Sequence, residues 1–248
     1  MAAHAGGRVL REWSNKFTVS EKGPADLVTE ADLASQQVIF DIVSRRFPDH
    51  VLLGEEGSGP NTKPSNWRWI IDPLDGTSNY VHGFPYYAVS VGVECDGELV
   101  AGVVYDPCHD ETFSATLGGG AFLNGKPMRV SRFEPLRQAM CIASFPTGVS
   151  SDSPAVARFL RVLPHAQAVH RSGSAAMNLS LLAAGRLDGF WSTSLKPWDM
   201  AAGVLLVQEA GGRVTQINGL PFEIDQPNIL SSNGTCIHGE LVSLLTTD

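Results

Sequence analysis

The feature that most constrains this 248-residue chain is a proline set between two aspartates at the end of an apolar run. Trp69-Ile70-Ile71 reads as a buried strand, and Asp72-Pro73-Leu74-Asp75-Gly76-Thr77 follows at once. Proline has no amide hydrogen to give a sheet ladder, so the strand is expected to stop at Asp72-Pro73. Gly76 allows a turn, and Thr77 is the expected cap of a new helix. The segment therefore sets carboxylates at a strand end beside the N–H groups of a helix start. Carboxylates suit a hard cation, and helix-start N–H groups suit an anion. A metal beside a phosphate is the chemistry this order points to.

The rest of the chain supplies two kinds of pattern. Residues 2–14 suggest a helix with Val9, Leu10 and Trp13 on one side, weakened by Gly6 and Gly7. Residues 18–25 read as a loop. From Asp26 an amphipathic helical pattern develops, with Leu33, Gln37, Phe40, Ile42, Val43 and Phe47 at helical spacing and Thr29 as its cap. Val51-Leu52-Leu53 is a short strand ending at Gly54-Glu55-Glu56-Gly57. From Tyr86 to Leu117 the period changes to two, with hairpin turns at Asp96-Gly97 and Asn124-Gly125. Beyond about residue 133, strands alternate with helices, including 153–163, 175–184 and 200–210, which argues an α/β arrangement. The expected organisation is a first lobe of α+β character over 1–133 and an α/β lobe over 134–248, joined as one compact catalytic unit.

Composition excludes several classes. Eighteen basic against twenty-six acidic residues give a net charge of −8, and no basic run offers a nucleic-acid or anionic-membrane surface. Cys95, Cys108, Cys141 and Cys236 are scattered, without the spacing of a zinc site, and are expected to be reduced. The first residues lack the pattern of a signal peptide, and no apolar stretch approaches the ~18 residues of a membrane span, so the cytoplasm is the default compartment.

Five carboxylates stand out: Asp32, Glu55, Asp72, Asp75 and Asp199. Each has an ordinary explanation. Asp32 completes a loose capping box with Thr29, Glu55 can be a solvated loop residue, Asp72-Pro73 is a common turn starter, and Asp199 can cap the helix after Trp198. Together the ordinary explanations weaken, because several apolar segments end in acidic residues beside glycine, proline or tryptophan. Carboxylates converging without a cation would repel one another and raise each other's pKa values.

Asp72-Pro73-Leu74-Asp75-Gly76-Thr77, with Trp69 upstream and Asn79-Tyr80 downstream, resembles the first signature of the inositol monophosphatase family. Trp198-Asp199-Met200-Ala201-Ala202-Gly203 resembles the second. Gly54-Glu55-Glu56 and Asp26-Leu27-Val28-Thr29-Glu30-Ala31-Asp32 match two further blocks in the family's order, so the resemblance covers nearly the whole chain. It implies the sugar-phosphatase fold, layered αβαβα, with a metal site between two lobes. It implies a magnesium-dependent, lithium-sensitive phosphomonoesterase with two or three Mg2+ ions, acting on a small phosphate monoester, and a homodimer. The implied metal ligands are Glu55, Asp72, the carbonyl of Leu74, Asp75 and Asp199. Gly76 and Thr77 would hold the phosphate through their N–H groups, and Asp32 with Thr77 would orient the attacking water, Glu55 sharing in catalysis. The implied chemistry is in-line attack of metal-activated water, with no phosphoenzyme.

On the substrate side, Ser174 and Ala175 match the family's Gly-Ser-Ala-Ala segment. Where inositol-preferring members carry a glutamate seven residues before the second-signature aspartate, this chain has Ser192. The nominal substrate is inositol 1-monophosphate. Histidinol phosphate, fructose 1,6-bisphosphate and a 3′-phosphonucleotide are alternatives within the same chemistry. Lys196 is either a solvated cation or a group at the pocket mouth, and Arg171 either an ion-pair partner or a substrate contact. The rival from another class is a non-catalytic regulatory binding protein. The presence of all five carboxylates argues against it.

Overall fold

The computed structural model describes residues 1–14, 16–23, 26–146 and 148–247. Helix α1 (Ala2–Trp13) is followed by a two-stranded ribbon, β1 (Val19–Gly23) and β2 (Asp26–Thr29), then by helix α2 (Glu30–Arg46). The loop expected over 18–25 is thus a hairpin arm, and Pro24 and Ala25 lie outside the described residues. Strands β3 (Val51–Gly54), β4 (Gly57–Ser58) and β5 (Trp67–Asp75) lead to the short helix α3 (Thr77–Val81). A meander then runs through β6 (Ala88–Cys95), β7 (Glu98–Asp106), β8 (Glu111–Thr116), β9 (Gly120–Leu123) and β10 (Lys126–Pro127). These strands form one eight-stranded sheet in the order β10-β9-β8-β7-β6-β5-β3-β4, antiparallel except for the parallel pair β3–β5. The Asp96-Gly97 and Asn124-Gly125 turns have the positive φ values that such hairpins need.

The second half alternates as expected: β11 (Met140–Ala143), α4 (Pro154–Val162), β12 (Ala168–His170), α5 (Ala175–Ala183), β13 (Gly189–Ser192), α6 (Pro197–Glu209), β14 (Arg213–Thr215), β15 (Ile229–Ser232) and α7 (Ile237–Thr246). Its five strands are ordered β12-β11-β13-β15-β14. The first three are parallel and the last two join antiparallel.

Strand alternation sorts side chains between layers. Phe190 of β13 packs with Leu179 of α5 and Val204 of α6, while its neighbour Trp191 packs with Leu241 and Leu245 of α7. In the large sheet, Val104 faces α5 and α6, whereas Tyr105 joins Leu10 of α1 and Ile39 of α2. The result is five layers: α1 and α2, the large sheet, α5 and α6, the small sheet, then α4 and α7. The expected αβαβα layering is observed. Fully burying each large apolar side chain contributes about 1.5–3 kcal/mol.

Three local expectations are corrected. The buried side of α1 runs through Ala3, Gly6, Gly7 and Leu10, so the glycines that weakened the helix reading are its packing face. The buried side of α2 is Ala31, Asp32, Ser35, Gln36, Ile39, Phe40 and Val43, while Leu33 is exposed. Strand β5 does not stop at Pro73. It continues to Asp75 through an irregularity in which Asp72 pairs with Ser90 and Asp75 with Ala88. One residue is thereby accommodated as a bulge, where proline's missing hydrogen costs no ladder bond.

Helix α6 lies on glycines. A Cβ added at Gly92 of β6 would fall 2.6 Å from Ala201 Cβ, and one at Gly102 of β7 would fall 2.8 Å from the Ala202 carbonyl oxygen. These bare backbone positions let the start of α6, with Asp199, approach the strand that carries Asp72. Among the described residues no helix is long and apolar enough to cross a membrane.

Candidate active site

The bulge in β5 turns the two aspartates toward one another. Asp72 and Asp75 meet Asp199 so that one carboxylate oxygen of each lies within 4.8 Å of the others. The Leu74 N–H donates to Asp72 Oδ1 at 3.0 Å, which fixes the Asp72 side chain within the bulge. Ser35 Oγ donates to the Pro73 carbonyl at 2.9 Å and secures the bulge from α2. On the other side, Ser90 Oγ donates to the Trp198 carbonyl at 3.3 Å and ties β6 to the start of α6.

Asp75 is held by α5. The Ser174 hydroxyl and the Ala176 N–H both donate to Asp75 Oδ2, each at 2.6 Å. Ser174 is also the cap of α5, accepting the Met177 N–H at 3.3 Å. Ala175 is buried beside it.

The electrostatics are those of crowded acids. Burial, then the charges of Glu55, Asp75 and Asp199, push the Asp72 carboxyl well above the usual carboxylate range. Burial, then the charge of Asp75, raises Asp199 to about 8. Asp75 rises to about 6, burial outweighing the Ser174 hydroxyl and the α5 N–H groups that favour its anion. Glu55 belongs to the same cluster, since its charge acts on both Asp72 and Asp199. Its N–H donates to the Ile71 carbonyl at 3.1 Å, which anchors it beside β5. Several hard oxygen donors, mutually repelling and desolvated, are a donor set that a divalent cation fits.

A second pair stands alongside. Asp32 is wholly buried at the start of α2. Its Oδ2 accepts the Thr29 N–H at 2.8 Å and the Thr29 hydroxyl at 2.6 Å, so the capping box exists. Its Oδ1 lies 3.2 Å from Thr77 Oγ1. Capping and a site role therefore coexist on the two oxygens of one carboxylate, rather than one displacing the other. Burial holds the Asp32 pKa above its ordinary value, against the opposing effect of the Thr29 bonds. Thr77 is not a cap: it is the first residue of α3, and Gly76 precedes it with φ 102° and ψ 37°. Thr77 Oγ1 also lies 3.2 Å from the Leu74 carbonyl. The cap position falls to Gly76 because the chain must reverse within one residue, which requires a left-handed conformation.

Of the expected site residues, Asp32, Glu55, Asp72, Leu74, Asp75, Gly76, Thr77, Ser174, Ala175 and Asp199 occupy this one region. Ser192 is different: it is 1% exposed at the end of β13, and its hydroxyl accepts the Ser194 N–H at 3.4 Å. Lys196 is exposed. Arg171 lies with its guanidinium 5.5 Å from the centre of the Phe145 ring. Sequence reasoning missed Ser35, Gln36, Ser90 and the Ala176 N–H. A signal existed for two of them. Asp32, Ser35 and Gln36 lie at i, i+3 and i+4, a polar stripe on the core-facing side of α2. All three serve the site, Gln36 by accepting the Glu56 N–H at 3.0 Å.

The profile of the inositol monophosphatase family matches residues 1–247. The chain belongs to the inositol monophosphatase family. An inositol-1-monophosphatase of Mesorhizobium japonicum is 39% identical over 94% of this chain and 88% of that protein. A fructose-1,6-bisphosphatase/inositol-1-monophosphatase of Aquifex aeolicus is 39% identical over 94% of this chain and 88% of its own length. The crystal structure of the extragenic suppressor protein suhB from Bartonella henselae superposes with a TM-score of 0.93 at 39% identity, covering 99% of this chain and 96% of that one. Membership makes this inositol monophosphatase relative a phosphoric monoester hydrolase, acting on a small phosphate monoester. The family is metal-dependent, and the Asp72–Asp75–Asp199 cluster offers the donors for a cation.

Proposed function

We propose that this phosphatase hydrolyses a small polyol or sugar phosphate with magnesium as its metal, and that inositol monophosphate is its nominal substrate. The observation that carries the reading is the meeting of Asp72, Asp75 and Asp199 beside the Asp32–Thr77 pair. Glu55, Asp72, the Leu74 carbonyl, Asp75 and Asp199 would hold two or three Mg2+ ions. Bound there, magnesium neutralises the phosphate dianion and the leaving alkoxide and acidifies water.

The protein's own groups do the remaining work. Gly76, in its left-handed conformation, turns the first N–H groups of α3 out of the β5 ladder, where they receive phosphate oxygens. Thr77 directs its hydrogen to Asp32 Oδ1, so its oxygen is free to accept a hydrogen bond from the attacking water. Asp32 takes the proton through that hydroxyl, and its raised pKa brings it closer to the operating range of a general base. Ser174 and Ala175 border the alcohol side while the α5 start orients Asp75. Ser192, short and buried at the end of β13, leaves no long acid to grip ring hydroxyls there, which favours tolerance among sugar and polyol phosphates. The inositol and fructose bisphosphate activities named for the relatives fit that tolerance.

The test is phosphate release from inositol phosphates, histidinol phosphate, fructose 1,6-bisphosphate and a 3′-phosphonucleotide, with and without magnesium, beside Asp72→Asn. Magnesium-dependent release with wild type alone is expected, with inhibition by lithium. Silence on every substrate, together with no magnesium binding by calorimetry, would falsify the reading. A homodimer, proposed on family resemblance, is checked by sedimentation equilibrium.

A further inference from the structure

Asp75 takes the Ser174 hydroxyl from a bend that lies far away in sequence, Ser172-Gly173-Ser174, and the Ala176 N–H from the first turn of α5 that the bend leads into. What holds that bend is Asn79 of α3. The Asn79 amide nitrogen donates to the Tyr86 carbonyl at 2.7 Å and to the Ser172 carbonyl at 2.8 Å, so both of its hydrogens are used. Gly173 has φ +91°, and a Cβ added there would fall 3.1 Å from Asn79 Nδ2 and 3.2 Å from its Oδ1. The bend thus lies flat against the Asn79 amide. One residue further, the Ser174 hydroxyl and the Ala176 N–H close on Asp75 Oδ2. A second set of bonds braces the same bend. Ser172 Oγ and Tyr86 Oη both donate to Asn178 Oδ1, at 2.6 and 2.8 Å.

We propose that Asn79 is a positioning residue: by holding the 172–174 bend against α3, it sets the orientation of the Asp75 carboxylate and hence the affinity of the site for its divalent cation. This rests on the reading of Asp75 as a metal ligand. Two donors on one oxygen fix the plane of a carboxylate, and groups that orient ligands typically govern about 10–100-fold of metal affinity. Asn79 sits only two residues beyond Thr77, so one short helix positions both the phosphate turn and, through the bend, a carboxylate of the metal cluster.

The experiment is magnesium titration by calorimetry on the full chain without substrate, for wild type, Asn79→Ala, Gly173→Ala and Asp75→Asn. The melting temperature of each is measured metal-free. Asn79→Ala and Gly173→Ala attack the same contact from opposite sides, and if one does not fold the other carries the test. Expected is a magnesium affinity lowered about 10–100-fold in both, with kcat returning to within about threefold of wild type at saturating magnesium. Wild-type affinity in the folded Asn79 and Gly173 variants, while Asp75→Asn binds poorly, overturns the positioning role and leaves the metal reading standing. Wild-type affinity in Asp75→Asn overturns the metal reading itself, and the proposal with it. A kcat that stays low at saturating magnesium also overturns it, since that would place Asn79 on the substrate.

Discussion

Helices α2 and α6 begin alike and serve different ends. Each carries an aspartate at its third position, and each aspartate accepts the N–H of the residue before the helix: Thr29 to Asp32 at 2.8 Å, Lys196 to Asp199 at 2.7 Å. They differ in what the rest of the carboxylate meets. Asp32 meets hydroxyls, those of Thr29 and Thr77. Asp199 meets carboxylates, and burial with the charge of Asp75 lifts it to about 8. On the proposed function, the same capping device would be a proton acceptor in one place and a metal ligand in the other. Local geometry holds the side chain still, and its neighbours decide its chemistry.

That contrast can be broken most severely at Asp199. Asp199→Asn keeps a cap acceptor but removes a charge from the cluster. We expect activity to fall by about 10³-fold and magnesium binding to weaken sharply, measured by phosphate release and calorimetry. Asp32→Asn and Thr77→Ala should separate the two roles. Each is expected to lower kcat by roughly 10²-fold while magnesium affinity stays within about threefold of wild type. Equal loss of metal binding in Asp32→Asn and Asp199→Asn would collapse the comparison.

The pH dependence sharpens it further. Folded-state values of about 6 for Asp75 and about 8 for Asp199 lie above that of an unfolded aspartate, near 3.9. The metal-free cluster therefore favours folding at low pH, and that contribution is lost as pH rises through about 6 and about 8. Chemical denaturation of the metal-free protein should show stability falling over that window, and added magnesium should remove the fall. Magnesium binding at pH 7 should release protons, seen as a buffer-dependent heat, and fewer at pH 9. The smallest effects concern the caps themselves. Thr29→Ala, which loses the acceptor for the Ala31 N–H, should cost about 1 kcal/mol of stability. Lys196→Ala, at a cap without a side-chain bond, should change stability by less than about 0.5 kcal/mol.

Much of this could be read from the chain. The period-two run through Val89, Val91 and Val93, the glycine turns and the later alternation of strands and helices gave the elements in their order. Capping at Thr29 is local and was legible for that reason. The signature aspartates were legible as a group because they stand beside proline, glycine or tryptophan at the ends of apolar segments, in the order the family's signatures have. What escaped was set by distance. Ser174 and Asp75 are 99 residues apart, and Ser90 and Trp198 are 108 apart. No periodicity announces such contacts. Pro73 misled in another way. Proline ends a regular strand, but a bulge has a place with no ladder bond to lose, and the neighbouring strand decides which applies. The glycines of α1 likewise looked like weaknesses until Tyr105 and Ile39 were seen against them.

The seat of α6 on Gly92 and Gly102 makes the spacing of the metal cluster a matter of thickness. Helix backbone and the Ala201 methyl rest directly on bare strand, so the gap between Asp199 and Asp72 is gauged by the width of the polypeptide itself. There is no long side chain in between whose rotamers could take up slack. Adding one methyl group at Gly92, beneath the helix and away from any substrate, would act as a shim that spreads the carboxylates apart. The protein's sensitivity to such a change would be read in its metal affinity, at a position no ligand touches.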